Sequence, residues 1–245
     1  MNRKDFLKTS LLLGGITLLP SFSEETFLQD FSRNQLIGKG NPDIVGDSYL
    51  SKMHKETAEA LKRMKAEALK SNIKIEVVSA YRNFQRQKEI FEGKYVKFTS
   101  EGLSPIQAIE KIIEYSTIPG TSRHHWGTDL DLIDGNAPRP ESVLVASNFH
   151  GTGPFCKMKE WMDEHAASFG FYEVYTNDAN RKGFKYEPWH FSYAPVSKPM
   201  LQAYKKLNIK EILSEEKVKG SAHFTNEFIE KYRTENILDI NPKLL

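Results

Sequence analysis

Residues 122–133 read SRHHWGTDLDLI, and the fold turns on their alternation. Leu130 and Leu132 interleave with Asp129 and Asp131, the period-two pattern of a strand with one apolar and one acidic face. Two histidines, His124 and His125, stand just ahead, and Gly127 permits a turn between them and the strand. A second compact cluster, EPWHF at 187–191, sets Glu187 ahead of His190 with Pro188 and Trp189 between them. A third, SAYRNFQRQ at 79–87, follows another alternating stretch (Ile73, Ile75, Val77) and carries Arg82 just past its end.

Two imidazoles and one carboxylate that leave a coordination position open form a catalytic zinc shell. Across the Gly127 turn, a loop histidine, His124, and a strand carboxylate, Asp131, can converge on one ion. His190 closes the set from a neighbouring strand. Glu187 can then reach the attacking water without being a ligand, accept its proton and return it to the leaving amine. Trp189 packs behind that pair. Arg82 is placed to hold a carboxylate bidentately or to steady an oxyanion, and Ser79, Tyr81 and Gln87 are candidates to line the same pocket. His54, His150, His165 and His223 stand apart from these clusters and read as structural or surface residues. Cys156, the only cysteine, excludes an intrachain disulfide and reads as core filling between Phe155 and Met158.

The remaining chain sets the context. It has 245 residues, 39% apolar and 27% charged, an ordinary balance for a soluble globular domain. With 34 basic against 32 acidic residues it lacks the concentrated basic charge of a nucleic-acid binder. Residues 1–23 read as an export signal: Arg3 and Lys4, then an apolar run from Leu11 to Leu19, then Ser21 and Ser23 as small cleavage-site residues. That run would span about 14 Å as a helix against a bilayer core of about 30 Å, so no stable membrane anchor is expected. The location implied is periplasmic or otherwise extracytoplasmic. Arg3-Lys4-Asp5-Phe6 resembles a twin-arginine signal with one arginine replaced, which leaves the secretion route open. Removing 1–23 also leaves the charges balanced.

Helical patterns are expected at 48–70, 84–95, 105–115 (capped by Ser104) and 157–168, and short strands at 171–175 and 189–194. Residues 134–156, rich in Gly, Pro, Asn and Ser, read as a long irregular excursion bordering the cleft. From Pro199 the pattern is helical and highly charged, either an extension packed on the domain or a partner-binding appendage. No internal repeat and no phosphate-binding glycine loop is present.

Together the clusters spell SxYRxxxxQ (Ser79, Tyr81, Arg82, Gln87), SxHxxGxxxD (Ser122, His124, Gly127, Asp131) and ExWH (Glu187, Trp189, His190). In order and spacing this resembles the VanY-type D-alanyl-D-alanine carboxypeptidases. These are LAS-type zinc peptidases, a group that also includes D-Ala-D-Ala dipeptidases and certain L-alanyl-D-glutamate endopeptidases. The resemblance covers roughly residues 45–195. It implies one zinc per chain on His124, Asp131 and His190, Glu187 as general base, and Arg82 contacting the substrate with Gln87 and Ser122 nearby. It also implies an α+β fold, with helices packed on a small, mainly antiparallel sheet whose open face holds the metal. The organisation expected is 1–23 export signal, 24–198 zinc peptidase domain and 199–245 helical C-terminal extension.

The substrate implied is a peptidoglycan pentapeptide stem losing its terminal D-alanine, and the EPWHF spelling leans toward the carboxypeptidase branch. An endopeptidase cutting inside the stem, or a zinc-containing cell-wall-binding module without activity, are the alternatives. One departure is Asp129, where the family usually has a small residue. It shares a face with Asp131, so it either orients a histidine or substrate amine from behind, the preferred reading, or competes for the metal. His125 reads as pocket wall or packing.

Overall fold

A computed structural model of the chain describes residues 31–245. The export signal expected at 1–23 lies outside the described residues. A one-turn helix, α1 (Arg33–Leu36), leads to a two-residue antiparallel pair, β1 (Ile44–Val45) and β2 (Met53–His54), and then to α2 (Lys55–Lys70). The helix expected from residue 48 therefore starts later. A single turn forms at Ser48, whose carbonyl accepts from the Ser51 and Lys52 amides, but Met53 and His54 then pair with Val45 and Ile44 and the His54 amide donates to the Gly127 carbonyl, so strand pairing interrupts the run. His54 starts α2 instead, its Nδ1 accepting from the Glu56 amide at 3.3 Å.

After α2 come β3 (Ile75–Ser79), α3 (Phe84–Ser100), α4 (Pro105–Ile112) and β4 (Asp129–Asp134). Helix α3 is capped by Asn83, and α4 by a reciprocal Ser104–Gln107 box with Pro105 in the first turn. The 134–156 excursion holds one short 3₁₀ turn, Ala146–Phe149, before α5 (Cys156–His165). Cys156 is half-buried at the start of α5 with its thiol donating to Glu160, so it is not core filling; Phe155 and Met158 take the buried positions. The chain continues through β5 (Phe171–Glu173), β6 (His190–Tyr193), α6 (Ala194–Tyr204), α7 (Ile209–Glu215) and α8 (Asn226–Tyr232).

Strands β3, β4, β6 and β5 form, in that order, one fully antiparallel sheet. All of β4 is buried, and its alternation divides two environments. On one face Leu130 and Leu132 join Val77, Phe191, Leu61, Met64, Phe155 and Trp161 in a core beneath α2 and α5. The opposite face carries Asp129 and Asp131. A second core gathers Phe91, Ile109, Trp126, Tyr175 and Phe184 with Met200, Tyr204, Ile212, Tyr232 and Leu244 from the C-terminal elements.

The boundary expected between 198 and 199 falls inside α6, because Pro195 in the first turn starts the helix earlier. The segment beyond it packs on the domain. Tyr204 Oη donates to the Gly120 carbonyl at 2.8 Å, and Tyr232 Oη accepts the Ile118 amide at 3.0 Å and lies 2.8 Å from Thr121 Oγ1. Both tyrosines thus brace the loop that leads into His124. No helix among the described residues is long and apolar enough to cross a membrane.

Candidate active site

Sheet register builds the centre. Asp131 pairs with His190 on β6 and with Ser79 on β3, and Asp129 pairs with Ser192. His124 comes from a single 3₁₀ turn, Arg123–Trp126, closed by Gly127 at φ 71°. A Cβ at Gly127 would sit 2.7 Å from the His54 amide nitrogen, so the tight return into β4 needs glycine twice over.

The ligand-type atoms of His124, Asp131 and His190, all buried, lie within 4.8 Å of one another. His124 Nε2 is 3.7 Å from Asp131 Oδ2, and His190 Nδ1 is 3.9 Å from Asp131 Oδ1. The ring tautomers follow from the outer partners. His124 Nδ1 donates to the Ala80 carbonyl at 2.8 Å, which leaves Nε2 facing the cluster. His190 Nε2 donates to Asp129 Oδ1 at 3.1 Å, which leaves Nδ1 facing Asp131 and Glu187.

Asp131 Oδ1 is buried with no hydrogen-bond partner, and burial pushes the carboxyl up to about 6. Burial and the nearby Arg82 hold His124 well below its ordinary value, so it is a neutral donor. Burial also opposes charge on His190, but its hydrogen bonds to Asp129 and Glu187 prevail and raise it to about 10. In the protein alone a proton on His190 balances the carboxylates around it, and a divalent cation at Nδ1 would take over that charge. An N₂O donor set with one orphaned carboxylate oxygen fits a zinc-type ion.

Asp129 has no room for a cation. Its Oδ1 accepts from Arg123 Nε (2.8 Å) and His190 Nε2, and its Oδ2 from Thr128 Oγ1 (2.6 Å) and Ser192 Oγ (2.9 Å). Burial alone would raise its pKa, but Arg123 and then the His190 hydrogen bond hold it well below the usual carboxylate range. Arg123 in turn donates to Ser192 Oγ and stacks over Trp126.

The cluster lies in a cavity of about 520 Å³. Glu187, Arg82, Ser79, Ser122 and Trp189 line it, as do Leu144, Val145 and Ala146 from the 134–156 excursion. Glu187 Oε2 is 2.9 Å from His190 Nδ1, and Ser122 Oγ has no partner among the described residues. Trp189 also packs against Phe149. Gln87 does not line the cavity. It is fully buried, accepts from Arg82 Nη1 at 2.9 Å and donates to the Thr117 carbonyl at 2.8 Å, so it aims the guanidinium. Tyr81 is displaced too: it lies past the end of β3, where its amide donates to the Lys52 carbonyl, and it borders a separate groove with Lys39, Phe84 and Glu216.

His125 is packing rather than wall. Its Nε2 accepts the Gly120 amide and its Nδ1 donates to the Arg82 carbonyl, while the Arg82 amide donates to the His124 carbonyl. The arginine and histidine motifs are thus locked through their backbones. Sequence reading did not single out Arg123, Ser192, Lys94 or Tyr175, whose ring meets His190 edge-on at 5.1 Å. For Arg123 a signal existed, a basic residue six positions before an unusual acid.

Comparison with known proteins places this arrangement. The chain shares its fold with VanYB solved in complex with D-alanine-D-alanine (TM-score 0.52, 24% identity, covering 73% of this chain and 92% of that one). It also shares it with the vancomycin-resistance D,D-pentapeptidase VanY in complex with Zn(II) (TM-score 0.51, 23% identity, covering 71% and 90%). A D-alanyl-D-alanine carboxypeptidase of Enterococcus faecalis is 29% identical over 142 residues, 58% of this chain and 48% of that protein, so the chain spans about half of that relative's length. The family model VanY, D-alanyl-D-alanine carboxypeptidase, matches residues 50–196. That match takes in more than half the chain and every residue of the His–Asp–His cluster, and the chain therefore belongs to the VanY family.

Proposed function

We propose that this chain is a zinc-dependent D-alanyl-D-alanine carboxypeptidase that removes the terminal D-alanine from peptidoglycan pentapeptide stems. The observation that carries the reading is the grouping of the His124, Asp131 and His190 donor atoms within 4.8 Å, beside Glu187 and inside the family match. The D-alanine-D-alanine and Zn(II) complexes of the two fold relatives support the substrate and the metal.

His124, Asp131 and His190 hold the zinc, which supplies Lewis acidity at the scissile carbonyl and lowers the pKa of the attacking water. Glu187, at the edge of the ligand set, accepts the water's proton and delivers it to the leaving amine. Arg82, aimed by Gln87, meets the negative charge that builds on the attacked carbonyl or stands on the terminal carboxylate. Asp129 and Arg123 keep His190 in the tautomer that presents Nδ1. The pattern of residues 1–23 supports an extracytoplasmic site of action, where the stem peptide is found.

The test is mass spectrometry of a disaccharide-pentapeptide after incubation with zinc-loaded protein. Loss of one alanine is the expected result. Release of a larger fragment would identify an endopeptidase, and no product from protein shown to hold one zinc would overturn the reading.

A further inference from the structure

Gln87, Ile90 and Lys94 occupy one face of α3, at i, i+3 and i+7. Gln87 holds Arg82 at the near end, and Ile90 and Lys94 line the cavity farther out, with Ser116 and Thr117. Lys94 is half-buried and makes no ion pair among the described residues. Burial and the Arg82 guanidinium lower its pKa, opposed by Glu187, so its charge lies near those two groups. Two further polar atoms on this side lack a partner: Arg82 Nε and Thr117 Oγ1. Two cations with no ion-pair partner among the described residues are costly to bury unless a ligand supplies the anion.

Which anion follows from the geometry of the reaction. Glu187 must reach the leaving amine, and in a terminal residue that amine and the free carboxylate share one Cα. The carboxylate therefore lies on the Glu187 side of the scissile bond, within the cavity that Glu187 and Lys94 both line. A bond cut inside a chain would bring a neutral amide to the same place.

We propose that Lys94 pairs with the terminal carboxylate of the peptide and so makes the cavity specific for a chain end. This rests on the carboxypeptidase reading and extends it to a residue outside the three motifs. Lysine length matters as well as charge, because the ammonium has to reach back along α3 toward Arg82.

The test compares an N-acyl-D-Ala-D-Ala peptide with its C-terminal carboxamide, using zinc-loaded wild-type protein, Lys94→Met and Lys94→Arg. Wild type should prefer the free acid by about tenfold or more in kcat/KM, the expected size for a charge-assisted pair. Lys94→Met should lose most of that preference through KM rather than kcat, and Lys94→Arg should recover part of it. An unchanged preference in Lys94→Met overturns the assignment. A second readout is independent of turnover: the ¹³Cε resonance of Lys94, identified by its loss in Lys94→Arg, during titration with N-acetyl-D-alanine and its carboxamide. A shift with the acid alone upholds the pairing even if neither peptide is cleaved, an outcome that would sink only the substrate reading. Equal shifts, or none, overturn the pairing.

Discussion

Along the polar face of β4, the Asp129 end and the Asp131 end are both buried and hold their charges in opposite ways. At the Asp129 end the carboxylate accepts four hydrogen bonds, one of them from a buried guanidinium, and stays ionised far below its ordinary range. At the Asp131 end one oxygen has no partner and burial drives the carboxyl toward its neutral form. The first end is finished by the chain itself, and it aims His190. The second keeps an oxygen that no group among the described residues engages, where the cation proposed above would bind. A buried acid in a strand can thus be scaffold or socket, and its donors decide which.

The hardest test of this contrast is at the socket. Dialysis against a chelator should abolish hydrolysis and zinc should restore it. Glu187→Gln should keep the metal, measured by elemental analysis, while kcat falls about 10²–10⁴-fold. Loss of metal in that variant would make Glu187 a ligand.

Next comes the stability of the two carboxylates. Asp129→Asn leaves Arg123 buried without its counter-charge and should cost about 3–5 kcal/mol in urea unfolding. Asp131→Asn should leave the chelated protein at least as stable as wild type while erasing the rise in Tm that zinc produces. Equal losses from both substitutions would dissolve the comparison.

A third test uses pH on chelated protein. Asp131 is raised in the folded state to about 6 from 3.8, so its contribution is full below the unfolded value and is lost as pH rises through about 6. His190, raised to about 10 from 6.5, loses its contribution between those values. His124 and His125, held low by burial, gain stability over the same range, so the Asp131 share is read as a difference: chelated wild type should lose about 2–3 kcal/mol more than chelated Asp131→Asn as pH climbs from 4 to 6. Parallel profiles of the two chelated proteins would contradict the socket.

The smallest effect is expected behind the His124 loop. Tyr232→Phe removes one hydroxyl that the Ile118 amide uses and should cost about 1 kcal/mol by thermal melting. A large loss of zinc affinity would show that the brace also tunes the ligands.

Much of the scaffold was legible because it is local. The alternation at 128–133 and 73–77 announced β4 and its neighbour β3, and Ser104-Pro105 announced the start of α4. The helix drawn from residue 48 failed because apolar spacing at Leu50 and Met53 carries no sign of the pairing that makes Met53–His54 a strand beside Ile44–Val45. In the site, the residues brought together by motif spacing were legible. Those brought together by strand register or tertiary packing were not: Ser192 opposite Asp129, Tyr175 against His190, Lys94 two turns beyond Gln87. Tyr81 misled for a related reason: it lies past the end of β3, where a backbone bond to Lys52 takes over from strand alternation.

The C-terminal brace has a consequence in time. Tyr204 and Tyr232 hold the loop before His124 from behind, and in chain order they follow every strand of the sheet. During synthesis β3 can pair with β4, and later β6, before those tyrosines emerge. The loop carrying His124 is secured only once α6 and α8 dock behind it, so completion of this site comes after the sheet that carries its other two residues.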